Sequence, residues 1–361
     1  DYLTPYYLTI MSKDIQFGFI GAGAIAASSA DSVNRHPNAK VVAVQDTDEG
    51  RMTDLCKEKS IAKSYKTAEE LFADKEIQAV YIATPNKFHI PLTIKALEAG
   101  KHVILEKPFA INAEEAETAA EAARKAGKVL TLGMNQRFNE SSQIFRTLVS
   151  DGVFGEIYHA KAYWTRRSGI PKLGTWFGSK DLAGGGCLYD IGVHVLDLCL
   201  YITDNFKPVS AFGSTYNKFG GRGLGEGGWG KSEKSGLPFE VEDFASGQIR
   251  FADGSTVSLD VTWARHAAEN DKVDVELFGT EAGGSVYGKK IYRHDQALGA
   301  HYTVENPKAT QAFPHNDRFH NFINHLRGEE ALCVTMEQAL TVQRILDALA
   351  KSSKTGESVK L

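Results

Sequence analysis

The stretch IQFGFIGAGAIA (15–26) decides the fold. Its first six residues are a short apolar run with β-favouring side chains. GAGAIA follows at once, and a helix-forming stretch then runs to Asn34. Gly21, Gly23 and Ala26 spell G-x-G-x-x-A at this strand-to-helix turn. Gly21 permits the tight turn, Gly23 lets backbone approach a pyrophosphate, and Ala26 lets helix pack close on strand. The helix start then presents free N–H groups to phosphates. Small residues also cap such turns for structural reasons alone, so the next strand carries weight. KVVAVQ (40–45) ends at Asp46, 20 residues after Ala26. An acid there would bond a ribose 2′-hydroxyl. The two features together predict dinucleotide binding. Asp46 would repel a 2′-phosphate, so NAD is expected over NADP; Arg51 lies nearby and could soften that preference.

Outward from this turn the alternation continues. A charged helical stretch covers 48–59. QAVYIA (78–83), HVILE (102–106) and VLTLGM (129–134) read as strands. PLTIKALEAG and INAEEAETAAEAARKAG read as helices, each ending on Gly as helix C-termini often do. Apolar strands alternating with amphipathic helices imply a parallel sheet covered on both faces. That is a Rossmann-type doubly wound α/β domain over 14–134, with ligands expected at the carboxyl ends of its strands. Two further loops leave that edge. ATPNKFH (83–89) carries Asn86 and His89, although a turn and helix start would explain His89 alone. EKPFA (106–110) puts Lys107 where an apolar strand stops. Most lysines are solvated surface charges, but this one projects over the crevice where the nicotinamide end of a dinucleotide should lie.

Beyond GMNQRFN (133–139) the pattern changes, and 135–361 reads as a second α/β domain. A helix covers about 140–150, IYHAKAYWTRR (157–167) follows, and GGGCLYDIGVHVLD (184–197) opens a helix running to 202. VSAFGSTYNKF, VEDFASGQIRF, STVSLDVTWA and KVDVELFG are β-rich, and FADGST between two of them signals a hairpin. Strands in runs suggest an open, mostly antiparallel sheet packed on helices. GGRGLGEGGWG (220–230) reads as a mobile loop, because no strand–Gly–helix context surrounds it. Helices close the chain at 316–327 and 336–351.

Bulk properties narrow the class. At 361 residues, two domains are expected. A net charge of −4 argues against a nucleic-acid binder working by basic excess. No apolar run reaches the roughly 20 residues of a membrane helix. The four cysteines are scattered without C-x-x-C, which suits reduced thiols in the cytoplasm. No H-E-x-x-H or comparable cluster calls for a metal. Residues 1–13 precede the first strand and read as an N-terminal extension.

The second ligand signal is the helix from Gly184. Asp190 and His194 stand four apart in an otherwise apolar stretch, so both lie on one face and can meet one ligand. Buried, such a pair is costly unless satisfied or working. A core His–Asp pair is the ordinary explanation; the glycine turn and EKP loop favour the functional one. Asp197 could orient the imidazole, or be a satisfied buried acid.

GFIGAGAIA, Asp46, TPNKFH, EKPFA, NQRF, GGGCLYDIGVHVLD and the final SSKTGESVKL together resemble the Gfo/Idh/MocA oxidoreductase family over nearly the whole chain from residue 14. The resemblance implies a nicotinamide-dependent dehydrogenase or reductase of sugars, sugar derivatives or cyclitols. It implies that Lys107, Asp190 and His194 form the catalytic set and meet the substrate. In this reading His194 is the general base, Lys107 donates to the developing alkoxide, and Asp190 holds a neighbouring hydroxyl. It also implies cofactor contacts at Gly21, Gly23, Ala24, Ile25, Asp46, Thr84, Pro85, Asn86, His89, Glu106 and Lys107, with Arg137 at the cofactor–substrate boundary. Trp164, Arg166 and Trp176 are expected on the substrate. The sheet of the second domain is expected to form a homodimer or homotetramer interface. Two other outcomes stay open: glycoside cleavage through transient NAD redox, and a sugar- and NAD-binding sensor without catalysis. A sensor should have lost the lysine or the histidine, and both are present.

Overall fold

A computed structural model describes residues 14–228, 234–309 and 316–361. The N-terminal extension and the end of the glycine-dense stretch lie outside them. The chain forms two compact units, the first running to Gly133 and the second starting at Met134. A single cut at 134/135 misses one return, because the segment up to Ala339 rejoins the first unit.

The first unit holds strands β1 (Ile15–Ile20), β2 (Ala39–Gln45), β3 (Lys63–Tyr65), β4 (Ala79–Ile82), β5 (His102–Leu105) and β6 (Leu130–Leu132). They form one parallel sheet in the order β3-β2-β1-β4-β5-β6. The order reverses between β1 and β4, which is where a doubly wound sheet opens its ligand crevice. β4 and β5 are buried along their whole length, as apolar runs in a covered sheet should be. KSY of β3 has no such run, is partly exposed, and carried no strand signal.

The returning segment is explained by its own pattern. RFHNFINHL places Phe319, Phe322, Ile323 and Leu326 on one helical stripe (Arg318–Leu326), started by Asp317, whose carboxylate accepts the Phe319 and His320 N–H groups. That stripe packs on the sheet, with Phe319 5.1 Å from the Tyr81 ring and Phe322 6.1 Å from Phe17. Each such aromatic contributes about 1.5–3 kcal/mol by burial.

The second unit holds β7 (Ile157–Arg166), β8 (Pro208–Tyr216), β9 (Phe244–Phe251), β10 (Thr256–Thr262), β11 (Asp271–Gly279), β12 (Gly283–Ser285), β13 (Lys290–Asp295), β14 (Ala300–Glu305) and β15 (Val359–Lys360). Their order is β14-β13-β12-β11-β7-β10-β9-β8-β15, antiparallel except for β7 beside β10. FADGST is the turn between β9 and β10, with Gly254 at φ +89°. One face carries the helices. The Val193–Thr203 helix packs on β7 and β11, and Leu349 fills the space left by Gly213 and Gly247. The glycine-dense stretch is fixed in its described part: Ile170 N–H donates to Gly225 and Gly227 N–H donates back to Ile170.

The run Lys180–Thr203 does reach membrane-spanning length and composition once it is counted as one helix, with mean hydropathy 1.3. It lies in the interior, with 83 % of its most apolar window buried.

Candidate active site

At the carboxyl end of β1, Gly21 adopts φ +100°, and a Cβ there would stand 2.5 Å from the Ala83 carbonyl oxygen. No other residue fits that turn. A Cβ on Gly23 would meet nothing within 4 Å, so the space above it is open. The helix Ala26–Arg35 starts without a side-chain cap, and Ala24 and Ile25 are exposed at its mouth. Asp46 does more than its position at the end of β2 foretold. Its Oδ2 accepts the Ala22 N–H at 2.6 Å and its Oδ1 the Asp48 N–H at 2.8 Å, so it also shapes the glycine turn. Arg51 is held by Asp48 at 3.2 Å.

The loops after β4 and β5 are braced from beneath. His89 is fully buried, with ring nitrogens 2.9 Å from the Pro108 carbonyl oxygen and 3.0 Å from that of Thr84. Burial lowers its pKa. His89 therefore sits between the two loops, its single N–H within reach of either carbonyl, and does not line the crevice as expected. Glu106 is corrected in the same way. Its Oε1 receives the Tyr81 hydroxyl at 2.7 Å and Arg318 at 2.6 Å, and its Oε2 accepts the Lys107 N–H at 3.2 Å. Burial pushes its carboxyl up, but Arg318, Tyr81 and Lys107 outweigh this and hold it below the usual carboxylate value. Arg318 comes from the returning helix, and no local pattern linked it to EKPFA. Lys107 is half-buried, Pro85 partly exposed and Asn86 buried. The Thr84 Oγ1 is buried with no partner among the described residues.

In the second unit, the expected continuous α-helix from 184 is a π turn over Leu188–Gly192 that passes into an α-helix over Val193–Thr203. π turns recur at functional sites. From Ala183 to Leu200 every residue is buried except Asp190 and His194, which are half-exposed. The pair is thus the open side of a core helix. The three glycines explain themselves sterically. Gly184 has φ +77°, a Cβ on Gly185 would strike the Tyr189 ring at 2.1 Å, and one on Gly186 would strike the Glu242 carbonyl oxygen at 2.0 Å. Glu242 then caps the turn, its Oε1 accepting N–H groups of Gly186 and Leu188 at 2.7 and 3.2 Å.

Two aromatic groups of this unit, Trp164 and Trp263, stand beside the pair. The Trp164 ring lies 6.0 Å from His194. The Arg166 guanidinium lies 4.7 Å over Trp164, and Asp271 accepts the Trp164 indole N–H at 2.9 Å. Asp190 Oδ2 accepts the Trp263 indole N–H at 2.9 Å. Trp176 stacks on Phe177 at 3.8 Å. Arg137 is a correction, and Asp197 takes the second of its two readings, the satisfied buried acid. Arg137 is fully buried and grips Asp197 through Nε (2.8 Å) and Nη2 (2.5 Å), with Tyr201 and Phe206 flanking it. It is not offered to a cofactor–substrate boundary, and Asp197 serves the arginine instead of the imidazole. Among the described residues no cluster of His, Cys, Asp or Glu is placed to hold a metal.

The first unit presents a glycine turn and an uncapped helix start that suit a phosphate, and the second, taken by itself, groups an imidazole, a carboxylate and an indole ring. Residues 15–134 match the model of the oxidoreductase family with an NAD-binding Rossmann fold, and 143–284 match the GFO/IDH/MocA C-terminal domain. The chain is 31% identical over 352 residues to D-glucoside 3-dehydrogenase of Escherichia coli (strain K12), covering 97% of this chain and 98% of that one. Among solved structures, an NAD-binding protein from Listeria innocua is 25% identical with a TM-score of 0.80, covering 96% of this chain and 97% of that one. Levoglucosan dehydrogenase in complex with NADH and levoglucosan shares the fold at TM-score 0.82 and 20% identity, covering 96% and 99%.

Proposed function

Because the chain belongs to the GFO/IDH/MocA oxidoreductase family, we propose that it is an NAD-dependent enzyme moving a hydride between the nicotinamide and a CH–OH or ketone carbon of a sugar, sugar derivative or cyclitol. The observation that carries this reading is the Asp190–His194 pair, the one break in burial between Ala183 and Leu200, beside Trp164.

The first unit fits a dinucleotide. Open space above Gly23, an uncapped helix start and the orphaned Thr84 Oγ1 all suit a polar ligand at that edge. Gly21, Gly23, Ala24 and Ile25 would hold its pyrophosphate, Asp46 its adenosine ribose, and Thr84, Pro85 and Asn86 its middle. When bound, the nicotinamide supplies the hydride acceptor or donor. Asp46 disfavours a 2′-phosphate, and Arg51, held by Asp48, does little to offset it. NAD is therefore the cofactor.

In the oxidative direction His194 takes the hydroxyl proton onto a ring nitrogen, as a positioned general base does. Lys107 donates to the same oxygen as negative charge grows there. Asp190 holds a neighbouring hydroxyl and fixes the ring's orientation. Trp164 offers a sugar face an apolar wall, and Arg166 and Trp176 complete the substrate side. The enzyme works in the cytoplasm, in keeping with four free cysteines. It assembles as a homodimer or homotetramer through the uncovered face of the nine-stranded sheet, where Phe212, Tyr216 and Tyr292 are exposed.

The test is an anaerobic panel of sugars, glycosides and cyclitols with NAD, with NADP and with neither, following reduced nicotinamide and product mass. Substrate-dependent reduction of NAD, weaker with NADP, is expected. Glycoside cleavage without NADH would replace this reading with transient redox. Saturable binding without turnover on any substrate would leave a sensor.

A further inference from the structure

We propose that Trp263 is a positioning residue of the reaction: its indole N–H holds the Asp190 carboxylate in the orientation that receives substrate. This rests on the role of Asp190 given above.

The geometry is specific. Trp263 is fully buried, and its Nε1 donates to Asp190 Oδ2 at 2.9 Å. Its ring meets Phe239 edge-on at 6.3 Å. Asp190 itself is half-exposed, so one end of the contact lies in the core and the other at the site. A carboxylate on a short side chain can turn about two bonds, and a donor from a rigid, enclosed ring removes that freedom on one oxygen. Trp263 follows β10, where Val261 is the register partner of Trp164. Trp263 comes directly after this strand, and its indole reaches Asp190 while the Trp164 ring lies by His194. The two indoles therefore flank the π turn and helix, one at Asp190 and one at His194.

A single short segment fixes both ends of this contact. The Glu242 carbonyl accepts the Cys187 N–H at 3.0 Å, and the Glu242 carboxylate accepts the Gly186 and Leu188 N–H groups, which sets where the turn bearing Asp190 begins. The adjacent Asp243 carbonyl accepts the Trp263 N–H at 2.9 Å and the Thr262 hydroxyl at 2.9 Å. The Asp243 carboxylate is in turn held by backbone N–H groups of Lys218, Phe219 and Gly220. Donor and acceptor thus hang from neighbouring residues of one pinned segment. A structural tryptophan needs only to fill volume and satisfy its N–H. It does not need its acceptor to be one of the two residues that open the helix.

Two replacements separate the N–H from the ring. Trp263→Phe removes the donor and much of the bicycle. Site-specific β-(3-benzothienyl)alanine at 263 keeps the bicyclic shape with sulfur in place of the N–H, and covers the case in which Trp263→Phe folds poorly. Both are measured on the full chain with the substrate found in the panel. Both are expected to lower kcat about tenfold, with the KM for NAD unchanged, because misorientation of a substrate-holding group costs the reacting geometry. Phe239→Leu, which loosens the ring's packing but leaves the N–H, is expected to lower Tm and keep kcat. In an Asp190→Ala background, removing the N–H is expected to change kcat no further. Wild-type kcat in the benzothienyl enzyme overturns the proposal. So does an undiminished effect in the Asp190→Ala background. If Asp190→Ala alone keeps wild-type turnover, the role given to Asp190 is what fails, and that result is read before the Trp263 comparison.

Discussion

In the proposed function single residues carry the chemistry, and each can be removed on its own. His194→Ala is expected to lower kcat by about 10²–10⁴-fold, the range for losing a positioned general base. Lys107→Met should lower it about a hundredfold or more by removing a donor to the developing alkoxide. Stopped-flow and steady-state assays with the panel's substrate check both. Near-wild-type turnover in His194→Ala would end the proton-transfer role. The corrections at this scale share one cause. His89, Glu106 and Arg137 are polar residues in the expected motifs, and all three are buried and committed to partners. A motif says that a polar group stands at a position, but not whether it faces ligand or braces the loop behind it.

At the scale of elements, buried polar pairs hold the pieces that present those residues. Arg137 and Asp197 lock the turn Asn135–Phe138 to the helix that bears His194. Losing either partner alone leaves an uncompensated charge in the core and is expected to cost about 3–5 kcal/mol, while Arg137→Met with Asp197→Leu should cost far less. Urea unfolding of the three variants decides. His102, at the start of β5, gives a pH dependence. Burial, and then Lys128 and His325, push its pKa down to about 4, and its Nδ1 accepts the Val129 N–H at 3.1 Å, which only the unprotonated nitrogen can do. The unfolded chain takes up this proton near pH 6.5, the folded chain only near 4. Between those values the unfolded state is the more protonated. The contribution is therefore complete above pH 6.5 and is lost as pH falls toward 4, to the extent of about 3 kcal/mol. Comparing unfolding free energies at pH 7 and pH 5 should show a smaller drop in His102→Gln than in the parent.

At the scale of the whole molecule, one face of the nine-stranded sheet exposes Phe212, Tyr216 and Tyr292 among the described residues. Lys161 sits over Phe278 at 5.4 Å, and Tyr163 donates to Glu276 at 2.7 Å, so charges on that face are matched to aromatic and hydroxyl partners. Light scattering coupled to gel filtration is expected to give the mass of two or four chains. Phe212→Glu, placed on that face, should shift the distribution toward one chain while leaving the far-UV spectrum intact. A monomer in the parent protein would refute the assembly.

The sequence by itself determined the parallel sheet apart from β3, its glycine turn, the acid at the end of β2 and the spacing of Asp190 and His194. Each is a local signal: an apolar run, a turn that only glycine can make, or two residues one helical turn apart. It also announced the second sheet through strands in series. What only the tertiary structure decided are the relations between distant residues. Arg318 reaches Glu106 across 212 positions, Trp263 reaches Asp190 across 73, and the final VK adds β15 beside β8. The helix Arg318–Leu326 was legible as a helix, but its return to the first unit depends on which apolar surface remains unfilled. Such pairings depend on burial and on the geometry of approach, and neither leaves a period or a spacing in the chain.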